Sequence, residues 1–160
     1  MAQTLVALLV HVVFSTKNRA NLIAPEVETE LYSYVGGILK GRGSRLIAAG
    51  GTSNHIHLLI SLSKNDALPA MMQELKKSTS KWIKTRDTSS AGFQWQEGYG
   101  AFTIGASQIP VLRSYLARQK LHHQKRGFED EFLSLIDRYG VDYDPNYLWV
   151  FTFRGVATGY

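Results

Sequence analysis

Residues 44–62, SRLIAAGGTSNHIHLLISL, carry two strand-like runs joined by a short turn through Thr52 and Ser53. This hairpin is the tightest constraint on the fold, because a helical stretch stands on either side of it. Residues 25–41, PEVETELYSYVGGILKG, begin with Pro25, Glu26 and Glu28 and end near Lys40 and Arg42. That charge order suits a helix dipole, although Gly36 and Gly37 weaken the helix. Residues 66–86, DALPAMMQELKKSTSKWIKTR, form the second helical stretch, and TSSAG after it is a loop. A strand over residues 4–14 precedes the first helix. FQWQEGYGAFTIG, residues 93–105, supplies a further strand or hairpin, with an irregularity at Gly98 and Gly100.

Strand, helix, strand, strand, helix, strand is the split βαβ order. It predicts an α+β, ferredoxin-like (RRM-like) antiparallel sheet, with both crossover helices on one face and the third strand in the middle. A third helix, SQIPVLRSYLARQKLHHQ, is then spare and can close over the face left open. Ser107 can cap it, and Pro110 is tolerable in its first turn. A last short helix, EDEFLSLIDRYG, ends at Gly140, and residues 141–160 read as irregular or strand-like. With 160 residues and no repeat or linker, one domain spanning 1–160 is expected.

The opening MAQTLVALLVHVVF lacks a basic leader and a small-residue cleavage site, is interrupted by His11, and is too short to span a bilayer. A buried strand is expected there, with no membrane partner and a cytoplasmic location. There is no cysteine, which excludes disulfide and thiolate chemistry and leaves His, carboxylate and amide groups as metal ligands. A formal net charge of +5 is a mild bias toward polyanions.

His55 and His57 are one residue apart on a strand, so both project from one face while Ile56, Leu58, Ile60 and Leu62 take the other. Two such imidazoles can meet a single divalent cation or form an ordinary hydrogen-bonded pair. A complete metal site needs at least one more protein ligand. In the third helix Tyr115, Gln119 and His122 fall at i, i+4 and i+7 and share a face. Tyr115 offers a nucleophilic oxygen and Gln119 an amide oxygen; a packed tyrosine and a solvated glutamine is the alternative. Lys17 and Arg19 after the first strand, and Lys76, Lys77, Lys81 and Lys84 along the second helix, are candidate DNA phosphate contacts or simply a solvated face. Phe93, Trp95, Tyr99 and Phe102 can stack bases or fill the core. His11 is expected to be a core histidine.

Together these residues resemble the single-tyrosine HUH transposases: the TnpA-like enzymes of small insertion sequences and the related REP-associated tyrosine transposases. The His–hydrophobe–His motif is His55-Ile56-His57, and the tyrosine helix pattern Y-x-x-x-Q with a following His pair is Tyr115, Gln119 and His122-His123. VHVVFSTKNR (10–19), KKSTSKWIK (76–84), FQWQEGYGAFTI (93–104) and YDPNYLW (143–149) extend the likeness over nearly the whole chain. The resemblance implies a transposase that cleaves and rejoins single-stranded DNA bearing hairpins through a 5′-phosphotyrosine. Tyr115 would be the nucleophile, and a divalent metal, Mg2+ or Mn2+, would be held by His55, His57 and Gln119. It also implies a homodimer in which the tyrosine helix can serve the partner, with no nucleotide cofactor. A hinge would fall at Gly105-Ala106-Ser107.

Many members carry Asp before the first histidine, where this chain has Asn54; that exchange bears on activity rather than fold. His122 can orient Gln119, contact DNA or be a satisfied structural histidine, and neither His122 nor His123 is assigned a catalytic role. The alternative is a domesticated, non-catalytic hairpin-binding protein on the same fold, which would have no need to retain His55, His57, Tyr115 and Gln119. A replication initiator or relaxase nicking domain fits less well. Leu59 stands at the next same-face position, where a third histidine is usual, and no second tyrosine lies near Tyr115 in its helix.

Overall fold

The computed structural model describes residues 2–86, 90–124 and 126–149. Strands β1 (Leu9–Ser15), β2 (Arg45–Gly51), β3 (His55–Ser61) and β4 (Gly100–Thr103) form one antiparallel sheet in the order β2-β3-β1-β4. Helices α1 (Pro25–Gly41) and α2 (Leu68–Lys84) are the crossovers. This is the ferredoxin-like arrangement that the element order predicts, with β3 in the interior of the sheet.

Strand alternation sorts the residues into two layers. Val12 and Phe14 of β1 and Ile56, Leu58 and Ile60 of β3 pack with Leu31, Val35 and Leu39 of α1 and Met71, Met72 and Leu75 of α2. On the other face Val13 and Phe102 pack with Phe128, Phe132, Leu135 and Ile136 of α5 (Phe128–Arg138). The second face is therefore covered by α5 as well as by the tyrosine-bearing segment.

Three expectations are corrected. β1 starts at Leu9 rather than at residue 4, because Leu9 pairs with Ser61, the last residue of β3. Before it the ladder gives way to single hydrogen bonds, Leu62 N–H to the Leu8 carbonyl at 2.8 Å and Lys64 Nζ to the Thr4 carbonyl at 3.0 Å. Leu5 is accordingly 79% exposed. The 93–105 segment is a strand only over Gly100–Thr103. Trp95 makes an isolated bridge to Thr16, and the buried Lys76 ammonium donates to the carbonyls of Gln96, Glu97 and Gly98 at 2.8, 3.0 and 2.5 Å, which holds that stretch as a loop.

The third helix is not continuous either. A short 3-10 turn, Ala106–Gln108, leads into α3 (Ile109–Ala117), which stops at Arg118 (φ −103°, ψ 14°) before α4 (Gln119–His123). Ser107 makes no side-chain cap. The described part of the tail, residues 141–149, holds neither helix nor strand, and the rest of it, 150–160, lies outside the described residues. No described helix is long and apolar enough to cross a membrane.

Candidate metal centre and nucleophile

His55 and His57 are wholly buried on β3, facing away from α1 and α2. Each ring is fixed from behind. The Asn54 amide donates its Nδ2 to the Arg19 carbonyl at 3.3 Å and turns its Oδ1 to His55 Nδ1 at 2.8 Å, with Thr52 Oγ1 2.9 Å from the same nitrogen. Asn54 therefore orients His55 as a carboxylate would, without adding charge. His57 Nδ1 meets His11 Nε2 at 2.8 Å across the β1–β3 pair. His11 is indeed buried, but it supports a site residue rather than merely filling the core.

The tyrosine segment reaches the histidines because Gly50 on β2 has no side chain. A Cβ there would lie 2.0 Å from the Leu116 carbonyl oxygen, so α3 rests on the strand backbone itself. Gly100 on β4 plays the same part for α5, since its Cβ would meet the Phe132 ring at 2.6 Å. Seated this way, buried Gln119 brings Oε1 to 3.1 Å from His55 Nε2, and half-buried Tyr115 presents its ring edge to His57. The helix break at Arg118 does not separate them.

Glu131 of α5 stands where these groups meet and is 2% exposed. Its Oε1 lies 2.7 Å from His57 Nε2 and 3.6 Å from His55 Nε2. Its Oε2 accepts from the Tyr115 hydroxyl and, at 3.2 Å, from Gln119 Nε2. His123 and His122 point Nε2 at that same oxygen from 3.2 and 3.4 Å.

Burial, reinforced by His57, pulls His55 down to about 3, so the ring is neutral at physiological pH. Burial also pulls His11 down to about 3 and His122 below its usual value. Burial and then the hydrogen bond to Glu131 push the Tyr115 hydroxyl well above the ordinary phenol range. Burial alone would raise Glu131, but the imidazoles of His123 and His57 and the Tyr115 hydroxyl outweigh it and hold the carboxyl well below the usual range.

This donor set fits a cation. With the His55 proton on Nδ1, toward Asn54 Oδ1, its Nε2 is a bare lone pair facing the Gln119 carbonyl oxygen, another acceptor. Turning the amide over moves the conflict to Glu131 Oε2, which would then face the same oxygen. Either way one pair of acceptors is left opposed, and a cation resolves it. The ligand atoms of His55, His57, His123 and Glu131 all lie within 4.8 Å of one another. Ligands about 2.0–2.2 Å from one ion span up to about 4.4 Å across it, so only a small contraction is needed.

The basic candidates separate. Lys77, Lys81 and Lys84 are exposed on α2, behind the sheet from the histidines, while Lys76 is buried and its ammonium is taken by three carbonyls. Lys17 is exposed just beyond β1. Arg19 pairs with Glu129 at 2.6 Å and lies over Trp149. Phe93, Trp95 and Phe102 are core residues, and Tyr99 is half-buried against the core. Beside Tyr115 a cleft of about 460 Å3 opens between β4, α3 and α5, with Gln108, His122, Arg126 and Arg138 on its walls.

Sequence reasoning missed Glu131. Its signal is a carboxylate inside an apolar stripe: Phe128, Phe132, Leu135 and Ile136 mark the buried side of α5, and Glu131 sits among them.

The family described as transposase, IS200-like, matches residues 4–119. A candidate transposase from Deinococcus radiodurans R1 superposes with a TM-score of 0.58 at 19% identity, covering 74% of this chain and 95% of its own. A REP-associated tyrosine transposase bound to a REP hairpin superposes with a TM-score of 0.58 at 12% identity, covering 100% of this chain and 96% of its own. At these identities both likenesses speak for the fold. No curated protein matches.

Proposed function

Because the chain belongs to the IS200-like transposase family, we propose that it cuts and rejoins single-stranded DNA through Tyr115, with Mg2+ or Mn2+ held by His55, His57 and Gln119. The observation that carries this is one convergence. The Tyr115 hydroxyl, the Gln119 amide and the His57 imidazole all contact a single carboxylate, although they come from three separate elements. A protein that only binds DNA needs no such assembly.

When bound, the cation would polarise a non-bridging phosphate oxygen and offset charge developing in the transition state. Everything else falls to the side chains. Tyr115 Oη attacks phosphorus, the bond from phosphorus to the 3′-oxygen breaks, and a 5′-phosphotyrosine remains. The leaving strand departs as a 3′-hydroxyl. The phenolic proton has an acceptor already in contact, Glu131 Oε2. Transfer becomes favourable only as the new bond forms, since Tyr115 otherwise holds its proton tightly. Rejoining reverses the step: a 3′-hydroxyl attacks, and the phenolate leaves more readily than an alkoxide would, its ordinary pKa being about 10. The bond energy is kept in the ester, so no nucleotide cofactor is needed.

The cleft beside Tyr115 gives the strand a route to the nucleophile, with Arg126 and Arg138 on its walls as phosphate partners. A hairpin substrate is supported by the relative of the same fold that is bound to a REP hairpin. The whole chain acts as one domain in the cytoplasm in this reading. Tyr115 reaches the histidines of its own chain, so the homodimer implied by the family is not required to complete the site.

The test is to incubate the protein and Mn2+ with 3′-end-labelled single-stranded hairpins of varied flanks, then denature. Label retained by the wild type and lost in Tyr115→Phe, with hairpin binding unchanged, is the expected result. Equal cleavage by Tyr115→Phe overturns the nucleophile assignment. Hairpin binding with no cleavage by either protein favours the domesticated binder.

A further inference from the structure

The reading above leaves Glu131 and His123 without a metal role. We propose that both are ligands of the same divalent cation, so that the ion is clasped between β3, α4 and α5 rather than held by the His55, His57 and Gln119 set alone. This rests on the metal site proposed above and extends it.

Three observations carry the proposal. The first is placement. Glu131 Oε1 is 2.7 Å from His57 Nε2, to which it is hydrogen-bonded, and 3.6 Å from His55 Nε2, so it stands where the Nε2 atoms of both rings converge. A cation bound there would replace the proton shared with His57. The second is His123. Its side chain is 10% exposed, yet its Nε2 is buried without a hydrogen-bond partner and is directed at Glu131 from 3.2 Å. A buried imidazole nitrogen left unbonded is costly unless something else engages it. The third is charge. Glu131 is 2% exposed, and the side chains touching it, among the described residues, are imidazoles, a phenol and an amide, with no lysine or arginine. A buried carboxylate of that kind lacks a full counter-charge, and a divalent cation supplies one.

The two carboxylate oxygens then divide the work. Oε1 faces the histidine pair, while Oε2 keeps the Tyr115 hydroxyl in place. The ligand that fastens the ion is thereby the group that positions the nucleophile. Because Glu131 lies on α5, ion binding also ties α5 to the sheet. A set of three imidazoles with one carboxylate favours Mn2+ and Co2+ over Mg2+, which prefers oxygen ligands.

The experiment is calorimetric titration of the full chain with Mn2+, and the visible absorption of its Co2+ form, for wild type, Glu131→Gln, Glu131→Asp, His123→Ala and His55→Ala. Glu131→Gln should weaken Mn2+ binding by about tenfold or more, with Glu131→Asp in between and His123→Ala weaker by several-fold. Glu131→Gln and His123→Ala should each shift the Co2+ bands, which a purely structural role would not do. Wild-type affinity and unchanged Co2+ bands in both variants would overturn the proposal. If His55→Ala abolishes binding at the same time, the simpler metal site survives. If His55→Ala binds as the wild type does, both readings fall.

Discussion

Replacing Gly50 with alanine adds one methyl group on the strand beside His57, touching no proposed ligand or nucleophile atom, yet it should disable the nucleophile. The new Cβ would sit 2.0 Å from the Leu116 carbonyl oxygen and 2.7 Å from its carbonyl carbon. Neither atom is the end of a flexible side chain. Ordinary contact begins at 3.4 Å, so α3 must retreat from β2 by about 1.4 Å or the strand must bend by as much. β2 is paired along its length with β3, which is buried on both faces, so the helix is the element that yields. Tyr115 is the residue before Leu116 and moves with it. A misplacement of about 1 Å costs on the order of a hundredfold in rate when a nucleophile must approach in line.

Gly50→Ala should therefore form the covalent DNA adduct about a hundredfold more slowly under single-turnover conditions with saturating Mn2+. Hairpin affinity should stay near wild type, because no proposed DNA contact lies on β2. His55 and His57 stay on their strand while Gln119 shifts with the displaced helix, so Mn2+ should bind more weakly but still saturate the variant. Adduct formation within about threefold of wild type, from a variant confirmed to be folded, would refute the idea that direct backbone packing at Gly50 sets the position of Tyr115.

Other outcomes follow from the same geometry. His11→Ala removes the partner of His57 Nδ1 and should weaken Mn2+ binding by about 10–100-fold in a calorimetric titration, the usual cost of losing such a support. The metal-free protein should lose stability in acid. His11 and His55 are each pulled by burial from 6.5 to about 3, so between those values the unfolded chain takes up protons that the folded chain refuses. Their contribution is fully present above pH 6.5 and is lost as pH falls toward 3; urea titrations at about pH 7.5 and about pH 4.5 should show the lower unfolding free energy at the lower pH. Lys76→Met leaves three carbonyls without their donor and should cost about 2 kcal/mol in urea unfolding, with hairpin affinity unchanged. Loss of hairpin affinity at wild-type stability would show instead that Lys76 touches DNA.

The layout of the fold was readable because hydrophobic periodicity is local. α1 runs over Pro25–Gly41, the stretch its proline, charges and apolar spacing mark out, and the Thr52–Ser53 turn joins β2 to β3. The alternation around His55 and His57 already places them on the face away from the crossover helices. What the sequence hid depends on partners distant in the chain. The start of β1 is decided by where β3 ends, and no pattern within residues 4–14 records that. Lys76 looks like one more member of a basic run, yet the loop at 96–98 folds over it and turns a surface charge into an internal tie.

The i, i+4 spacing foretold that Tyr115 and Gln119 lie together, and both contact Glu131, though the helix expected to carry them breaks at Arg118. Glu131 reads as one of three acidic residues in the first turn of α5, where a carboxylate suits the helix dipole. Only the apolar residues around it show that it points inward. His11 likewise has no sequence feature that sets it apart from a core histidine until β1 is laid beside β3 in register, with Val13 opposite His57.

The central claim is that Tyr115 carries the severed DNA, and the most direct test is to find the DNA on it. A preparative cleavage reaction, digested with protease and nuclease, would be analysed by tandem mass spectrometry for a tyrosine bearing a nucleotide 5′-phosphate. The account predicts that modification on the peptide containing Tyr115 and on no other. A nucleotide attached to a different residue, or cleavage that proceeds to completion with every tyrosine unmodified, would contradict it.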